Sequence, residues 1–195
     1  MTTPLHPPIE APLPDVETER LTLRRFREDD LDRLAHVFAH REVWQHPYGR
    51  AFSRDETAAF LKAQLYEWDT CGFGCWIAIA RTLSEVIGYV GISVPTFLPE
   101  ILPAVEVGWR FDPAFWGQGL ASEGARAALR EAFVTLQLDE VTSVPQADNP
   151  SSSRVCERIG MHLQRSVHIP ANSRRGEVEA LLYTMSRDEW FTMHA

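Results

Sequence analysis

Apolar positions recur along this chain with two rhythms, one of two residues and one near 3.6, and the switches between them mark out the elements. "RLTLRRF" alternates and predicts a strand over Arg20 to Phe26. Behind the acidic run "REDD", Leu31, Leu34, Val37 and Phe38 fall at helical spacing. "QHPYGR" is a turn-rich break. Ser53 followed by Glu56 is a capping box, so a helix runs from there through "DETAAFLKAQLYEW" to Gly72. "GCWIAIAR", "VIGYVGIS" and "AVEVGWRF" read as three strands, the last two separated by the stretch Pro95 to Pro103. In "FWGQGLASEGARAALREAF" and just beyond, Ala125, Ala128, Leu129, Ala132, Phe133 and Leu136 form one apolar helical stripe. A strand at "EVTSVPQ", a short helix over Ser151 to Ile159 stopped by Gly160, and a closing strand pair joined by "PANSRRGE" complete the pattern.

Three strands in succession imply antiparallel neighbours, and the strand–helix–strand unit after them implies a parallel crossover. The expected fold class is therefore α/β (α+β): a mixed, mostly antiparallel central sheet of about seven strands flanked by helices. No linker divides the chain, so residues 18–195 read as one domain. The proline-rich start "MTTPLHPPIEAPLPD" cannot be helical and reads as a flexible or draped arm over residues 1–17.

Composition narrows the function classes. The chain has 195 residues, 19 basic against 27 acidic, and a net charge of −8. Stable tracking of a nucleic-acid backbone needs clustered cations and is disfavoured, although a local basic pocket for one phosphorylated ligand is compatible with that balance. Cys71, Cys75 and Cys156 cannot all pair internally, and the first two lack the second ligand pair of a structural zinc site. Free thiols, no metal and a reducing cytoplasmic location follow. No segment reads as a membrane span or secretory signal. A homodimer is compatible with the chain, but nothing in the sequence specifies one.

Gly117 and Gly119 stand at the mouth of a helix, where each glycine costs about 1 kcal/mol relative to alanine if it lies inside. Helix-start amides have no helical acceptor and carry partial positive charge. Glycines there let an anion approach without meeting a Cβ, so the pair reads as a phosphate seat, with Ser122 adding a hydroxyl at its rim. A tight strand-to-helix turn is the plainer alternative. The spacing fits neither the dinucleotide fingerprint nor the P-loop.

The flanking residues resemble the GNAT superfamily of acyl-CoA-dependent N-acyltransferases, and within it the branch of ribosomal-protein N-terminal alanine acetyltransferases. "VEVGWRFDPAFWGQGLASEGA" is similar to that family's strand, Pro-containing turn and glycine loop, with Trp116 where the family pattern has Arg or Gln. "DNPSSSRVCERIGM" is similar to its later Asn-containing signature. The resemblance implies acetyl-CoA as co-substrate and direct attack by an amine, from a small molecule or a protein N-terminus, on the thioester. It further implies that Gln118, Gly119, Leu120, Ala121 and Ser122 hold the pyrophosphate. The backbone of Trp109 and Phe111, together with Asn149 and Ser152, would hold the pantetheine arm. Glu106, on the strand face it shares with Gly108 and Arg110, is the expected base; an ordinary cross-strand glutamate is the alternative. Cys156 occupies the slot of the family's Tyr acid, which leaves a thiol acid, a nearby serine or a merely buried thiol open. His46, Tyr48 and Arg50 fall where the family builds its acceptor pocket, suiting an aromatic or carboxylate-bearing acceptor, with packed turn residues as the alternative. A catalytically silent acyl-CoA-binding module and an unrelated nucleotide-phosphate binder are the competing functions.

Overall fold

The computed structural model describes residues 12–195. Chain order gives β1 (Val16–Glu17), β2 (Leu21–Arg24), α1 (Leu31–Phe38), α2 (Gln45–Tyr48), α3 (Arg54–Cys71), β3 (Cys75–Ala80), β4 (Glu85–Ser93) and β5 (Glu106–Phe111). Then follow α4 (Leu120–Arg130), β6 (Glu140–Ser143), α5 (Pro150–Arg158), β7 (His162–Ile169), β8 (Val178–Ser186) and α6 (Arg187–Met193). The strands form one sheet in the order β1-β2-β3-β4-β5-β6-β8-β7. Every pairing is antiparallel except β5 with β6.

The mixed, mostly antiparallel sheet matches the fold read from the sequence, with eight strands where about seven were expected. The extra strand is β1, inside the segment read as an arm. Its two residues pair with β2, and Leu13 ahead of it is buried, its amide bonded to the Gly72 carbonyl at 3.0 Å. The part of the arm over residues 12–17 is thus draped along the sheet edge, while residues 1–11 lie outside the described residues.

Local chemistry explains most element ends. The Ser53–Glu56 capping box opens α3, and Gly72 closes it in the left-handed region at φ 75°. The same device, Ser186 with Glu189, starts α6, which the sequence reading left unassigned although Ser-x-x-Glu is legible there. The α4 stripe is buried as expected, with Ala125, Ala128, Leu129, Ala132 and Phe133 in the main core, and its last turn widens into a π-helical segment over Glu131–Thr135. A second cluster, in which Phe38, Trp44, Phe52, Ile77 and Tyr89 meet, fills the opposite side, beneath α1 to α3. The two faces of β5 part accordingly. Val105, Val107 and Phe111 enter the main core, and Glu106, Gly108 and Arg110 turn toward the α1–α3 side, where they line a cleft.

Candidate active site

The site begins where β5 and β6 separate. They pair at one register position, Glu106 with Thr142, and the Ser143 hydroxyl makes one further bond to the Val107 carbonyl at 3.0 Å. Past that point the chain from Val144 leaves β5 and follows β8, through Leu181 N to Pro145 O and Ala147 N to Glu179 O, each 2.9 Å. The alternation of β5 that turns the Val105 and Val107 carbonyls toward β6 also turns the main chain of Trp109 into the gap. The gap widens into a cleft with two lobes of about 470 and 520 Å³. His46, Trp109, Arg110, Asn149 and Ser152 line both lobes and mark their junction.

The larger lobe includes the glycine loop and the start of α4. Gly117 and Gly119 sit at φ 74° and 79°, and the space a Cβ would enter is empty at Gly117 and nearly so at Gly119. The first intrahelical bond of α4 runs from Glu123 N to Gly119 O, which leaves the amides of Leu120, Ala121 and Ser122 without helical acceptors. The Ser122 hydroxyl is buried with no hydrogen-bond partner among the described residues. Arg20 braces the loop from the outside, bonding the Gln118 carbonyl at 2.7 Å and pairing with Glu123 of α4. Arg154 and Arg158, which the sequence reading did not single out, add positive charge from α5. An orphaned hydroxyl, unpaired amides and open glycine faces beside two arginines fit a diphosphate.

Not every expected contact is in place. Gln118 does not line the cleft; its carbonyl is held by Arg20 and its side chain folds back to the Ala114 carbonyl at 3.2 Å. Phe111 buries its ring in the core, and its carbonyl is taken by the Trp116 indole N–H at 2.7 Å. Trp116 therefore replaces a polar side chain with a cap on the strand end, its ring 50% exposed along the lobe. Asn149 caps α5, accepting Ser152 N at 3.2 Å, and also lines the junction.

The other lobe is made of side chains. Trp44 and Phe52 stack at 3.7 Å, with Tyr48, Phe60, Tyr89 and Phe97 around them. His46 Nδ1 lies 2.8 Å from Gln146 Oε1 and 3.1 Å from Asp148 Oδ1. Arg110 lies 4.0 Å over the Trp44 ring and donates to the Val43 carbonyl at 2.6 Å. Arg50 is not part of the lobe; it forms a fork with Glu56 at 2.8 and 2.5 Å on the surface. Arg110, Arg174 and Arg175 supply the cations there instead.

Glu106 reaches the floor of this lobe, with Ser93 Oγ 3.5 Å from its Oε1 and open space where a side chain at Gly108 would be. Burial, reinforced by the nearby Glu67 carboxylate, pushes it up to about 8, against smaller opposing pulls from Ser93 and Arg110. Glu67, on α3, accepts the Val94 amide at 3.1 Å and is itself raised by burial to about 7. Sequence reasoning missed Glu67, because its approach to the end of β4 is a tertiary contact. Cys156 is a correction: it is fully buried in the main core, lines neither lobe, and burial raises its thiol to about 12. The neighbouring hydroxyl that does reach the junction is Ser152. Outside the cleft lining, His36, His40 and Asp112 bring ligand-capable atoms within 4.8 Å of one another. No helix among the described residues is long and apolar enough to cross a membrane.

A sheet parted between two parallel strands, with an anion seat at the start of the following helix, is the architecture of the N-acyltransferase class. Residues 20–162 match the family described as the Acetyltransferase (GNAT) domain, and the chain belongs to that family. It is 34% identical over 161 residues to the FsC-acetyl coenzyme A-N(2)-transacetylase of Aspergillus fumigatus, an alignment that covers 75% of this chain and 64% of that protein. The chain therefore spans less than two thirds of that relative's length. It is 39% identical over 146 residues to the uncharacterized N-acetyltransferase YnaD of Bacillus subtilis, covering 75% and 81% of the two chains. The structure of RimL, a ribosomal L7/L12 alpha-N-protein acetyltransferase in complex with coenzyme A, superposes with a TM-score of 0.69 at 19% identity, covering 88% and 97%, which is a likeness of fold.

Proposed function

We propose that the protein is an acetyl-CoA-dependent N-acetyltransferase that acylates a primary amine of a small molecule or a protein N-terminus by direct attack. The observation that carries this reading is Glu106. It is a carboxylate near neutral poise in the aromatic lobe, on the same strand as Trp109 and Arg110, which mark the junction with the anion-receptive one. Acetyl-CoA would supply an activated acetyl thioester. The α4 start would hold its diphosphate through the amides of Gly119 to Ser122, with Arg154 and Arg158 nearby. The main chain of Trp109, together with Asn149 and Ser152, would hold the arm that leads to the junction.

At the junction the chain's own groups have distinct tasks. Glu106, directly or through one water, takes the proton of the incoming ammonium. A base whose pKa sits near the working pH is the most effective one. The Trp109 amide, turned into the gap, is placed to donate to a carbonyl oxygen on which negative charge develops. The Ser152 hydroxyl can give a proton to the departing sulfur, which needs little help because a thiol near pKa ~8.5 leaves readily as thiolate. His46 and Tyr48, which line the aromatic lobe, would face the acceptor.

The test is thiol release from acetyl-CoA against a panel of amines, with Glu106→Gln beside the wild type. The variant should lose about 10²–10⁴-fold in kcat/KM at unchanged CoA affinity, the usual share of a general base. Equal rates in the two proteins would exclude Glu106 as base. CoA binding without release in either would leave a binding module.

A further inference from the structure

The charge of the smaller lobe runs against that of the whole chain. In a protein of net charge −8, its lining holds three arginines, Arg110, Arg174 and Arg175, and a single carboxylate, Glu106. That carboxylate is held largely protonated at neutral pH by its burial. Several arginines elsewhere on the surface pair with carboxylates, as Arg165 does with Glu100 at 2.9 Å and Arg187 with Asp139 at 2.9 Å, whereas others, including Arg154 and Arg158 of the larger lobe, form no such pair among the described residues. None of the three lobe arginines forms an ion pair among the described residues, although Arg110 acts on Glu106 at longer range.

Their remaining bonds show which of them is available. Arg110 is committed to the Val43 carbonyl and the Trp44 ring. Arg175 spends one nitrogen on the Pro170 and Gly176 carbonyls, at 3.1 and 3.3 Å. The Arg174 side chain makes no hydrogen bond or ion pair among the described residues. Asn172 fixes the turn that carries both, its Oδ1 accepting Arg174 N at 2.8 Å and Arg175 N at 3.1 Å. The acids nearest in sequence, Glu177 and Glu179, are engaged by His168 at 3.1 and 2.9 Å. The turn thus presents to the lobe two guanidiniums that form no ion pair among the described residues.

We propose that the acceptor is a small amine with an aromatic or aliphatic body and an anionic group at its far end, held by Arg174 and Arg175. This rests on the acyl-transfer reading above. The amine belongs at Glu106, and the body lies against the Trp44–Phe52 wall. β8, the strand that follows the arginine turn, is two strands from β5 and begins at Val178, six residues before Thr184, which stands level with Glu106 through Thr142, so the anion is remote from the amine rather than next to it. A lobe of about 470 Å³ is of small-molecule size.

The probes are 4-(aminomethyl)benzoate and 4-(aminomethyl)benzamide, which share a shape and differ in charge. Calorimetry on CoA-loaded wild type should show the carboxylate bound about tenfold or more tightly than the amide, as hydrogen bonds to charged groups allow. Arg174→Ala/Arg175→Ala should abolish that preference and raise the KM of the carboxylate without raising that of the amide, with CoA affinity unchanged. Arg174→Ala alone, which removes no bond of the turn, should weaken the preference in the same direction. Equal binding of the two probes, no binding of either, or a preference that survives the double substitution overturns the proposal. Thiol release without the carboxylate preference counts against this inference alone. The preference without thiol release counts against acyl transfer alone.

Discussion

The two lobes of the cleft share Trp109 and Ser152 but are built from different material. The lobe at α4 takes its main-chain donors, its two glycines with left-handed φ and its orphaned hydroxyl from a single short stretch of chain, with Arg154 and Arg158 of α5 beside them. The other is a convergence of side chains from α2, α3, β4, β5 and the β7–β8 turn. A backbone site constrains sequence through what it forbids, which is a Cβ in the wrong place, so it leaves a contiguous mark. A side-chain site constrains each position separately, and its members are neighbours only after folding.

The first difference to press is the tolerance of each lobe to a single added side chain. Gly119→Val should weaken CoA binding about 10–100-fold. It places a β-branched residue at φ 79°, where even an ordinary residue loses roughly 1–2 kcal/mol, and puts bulk at the edge of the anion seat. Calorimetric titration with CoA measures it. Wild-type affinity in the folded variant would show that the seat lies elsewhere. Gly108→Ala, in the aromatic lobe, has open space for its Cβ and should leave CoA affinity unchanged.

This contrast also explains what could be read from the chain. The Ser53–Glu56 box, the α4 stripe and the glycine loop are local, and each appears in the structure where spacing put it. Glu106 was legible because alternation along one strand assigns its face. Arg50 was misplaced because adjacency to an aromatic turn was taken for convergence, and it meets Glu56 instead. Glu67, Arg174 and Arg175 left no mark, since the first meets the end of β4 from α3 and the other two reach the cleft from the β7–β8 turn. The missed α6 is a different case, since its capping box was present and unused.

A smaller effect sharpens the comparison from the acceptor side. Glu106 must be ionised to accept a proton, and burial and Glu67 hold it near 8, so wild-type kcat/KM should climb with pH through that value. The groups that act on Glu106 are Glu67 and Ser93 from one side and Arg110 from its own strand, with the buried thiol of Cys75 close to both carboxylates. Glu67→Gln keeps an oxygen for the Val94 amide and deletes the like charge. The acid limb should therefore move to lower pH and raise the rate near pH 7. The acceptor amine contributes the same limb to both enzymes, so the displacement between profiles isolates the protein's part. Coincident profiles would mean that Glu67 does not act on the base.

The smallest expected change concerns Cys156, whose position in the chain and position in space point in opposite directions. Its spacing from Asn149 resembles that of the family's acid; the fold puts it at 0% exposure in the main core, with its proton held more tightly than in a free thiol. A donor must reach the leaving sulfur, and burial that raises a thiol's pKa also removes it from the cleft. Cys156→Ala should accordingly lower the melting temperature through lost packing while kcat stays within about twofold, because leaving-group protonation contributes little when the product thiolate is already stable. Ser152→Ala, at the junction, should be the more damaging of the two for kcat. If the order is reversed in single-turnover measurements, with CoA affinity equal in both variants, the proton comes from the core side of α5 and the thiol regains the role its sequence position suggests.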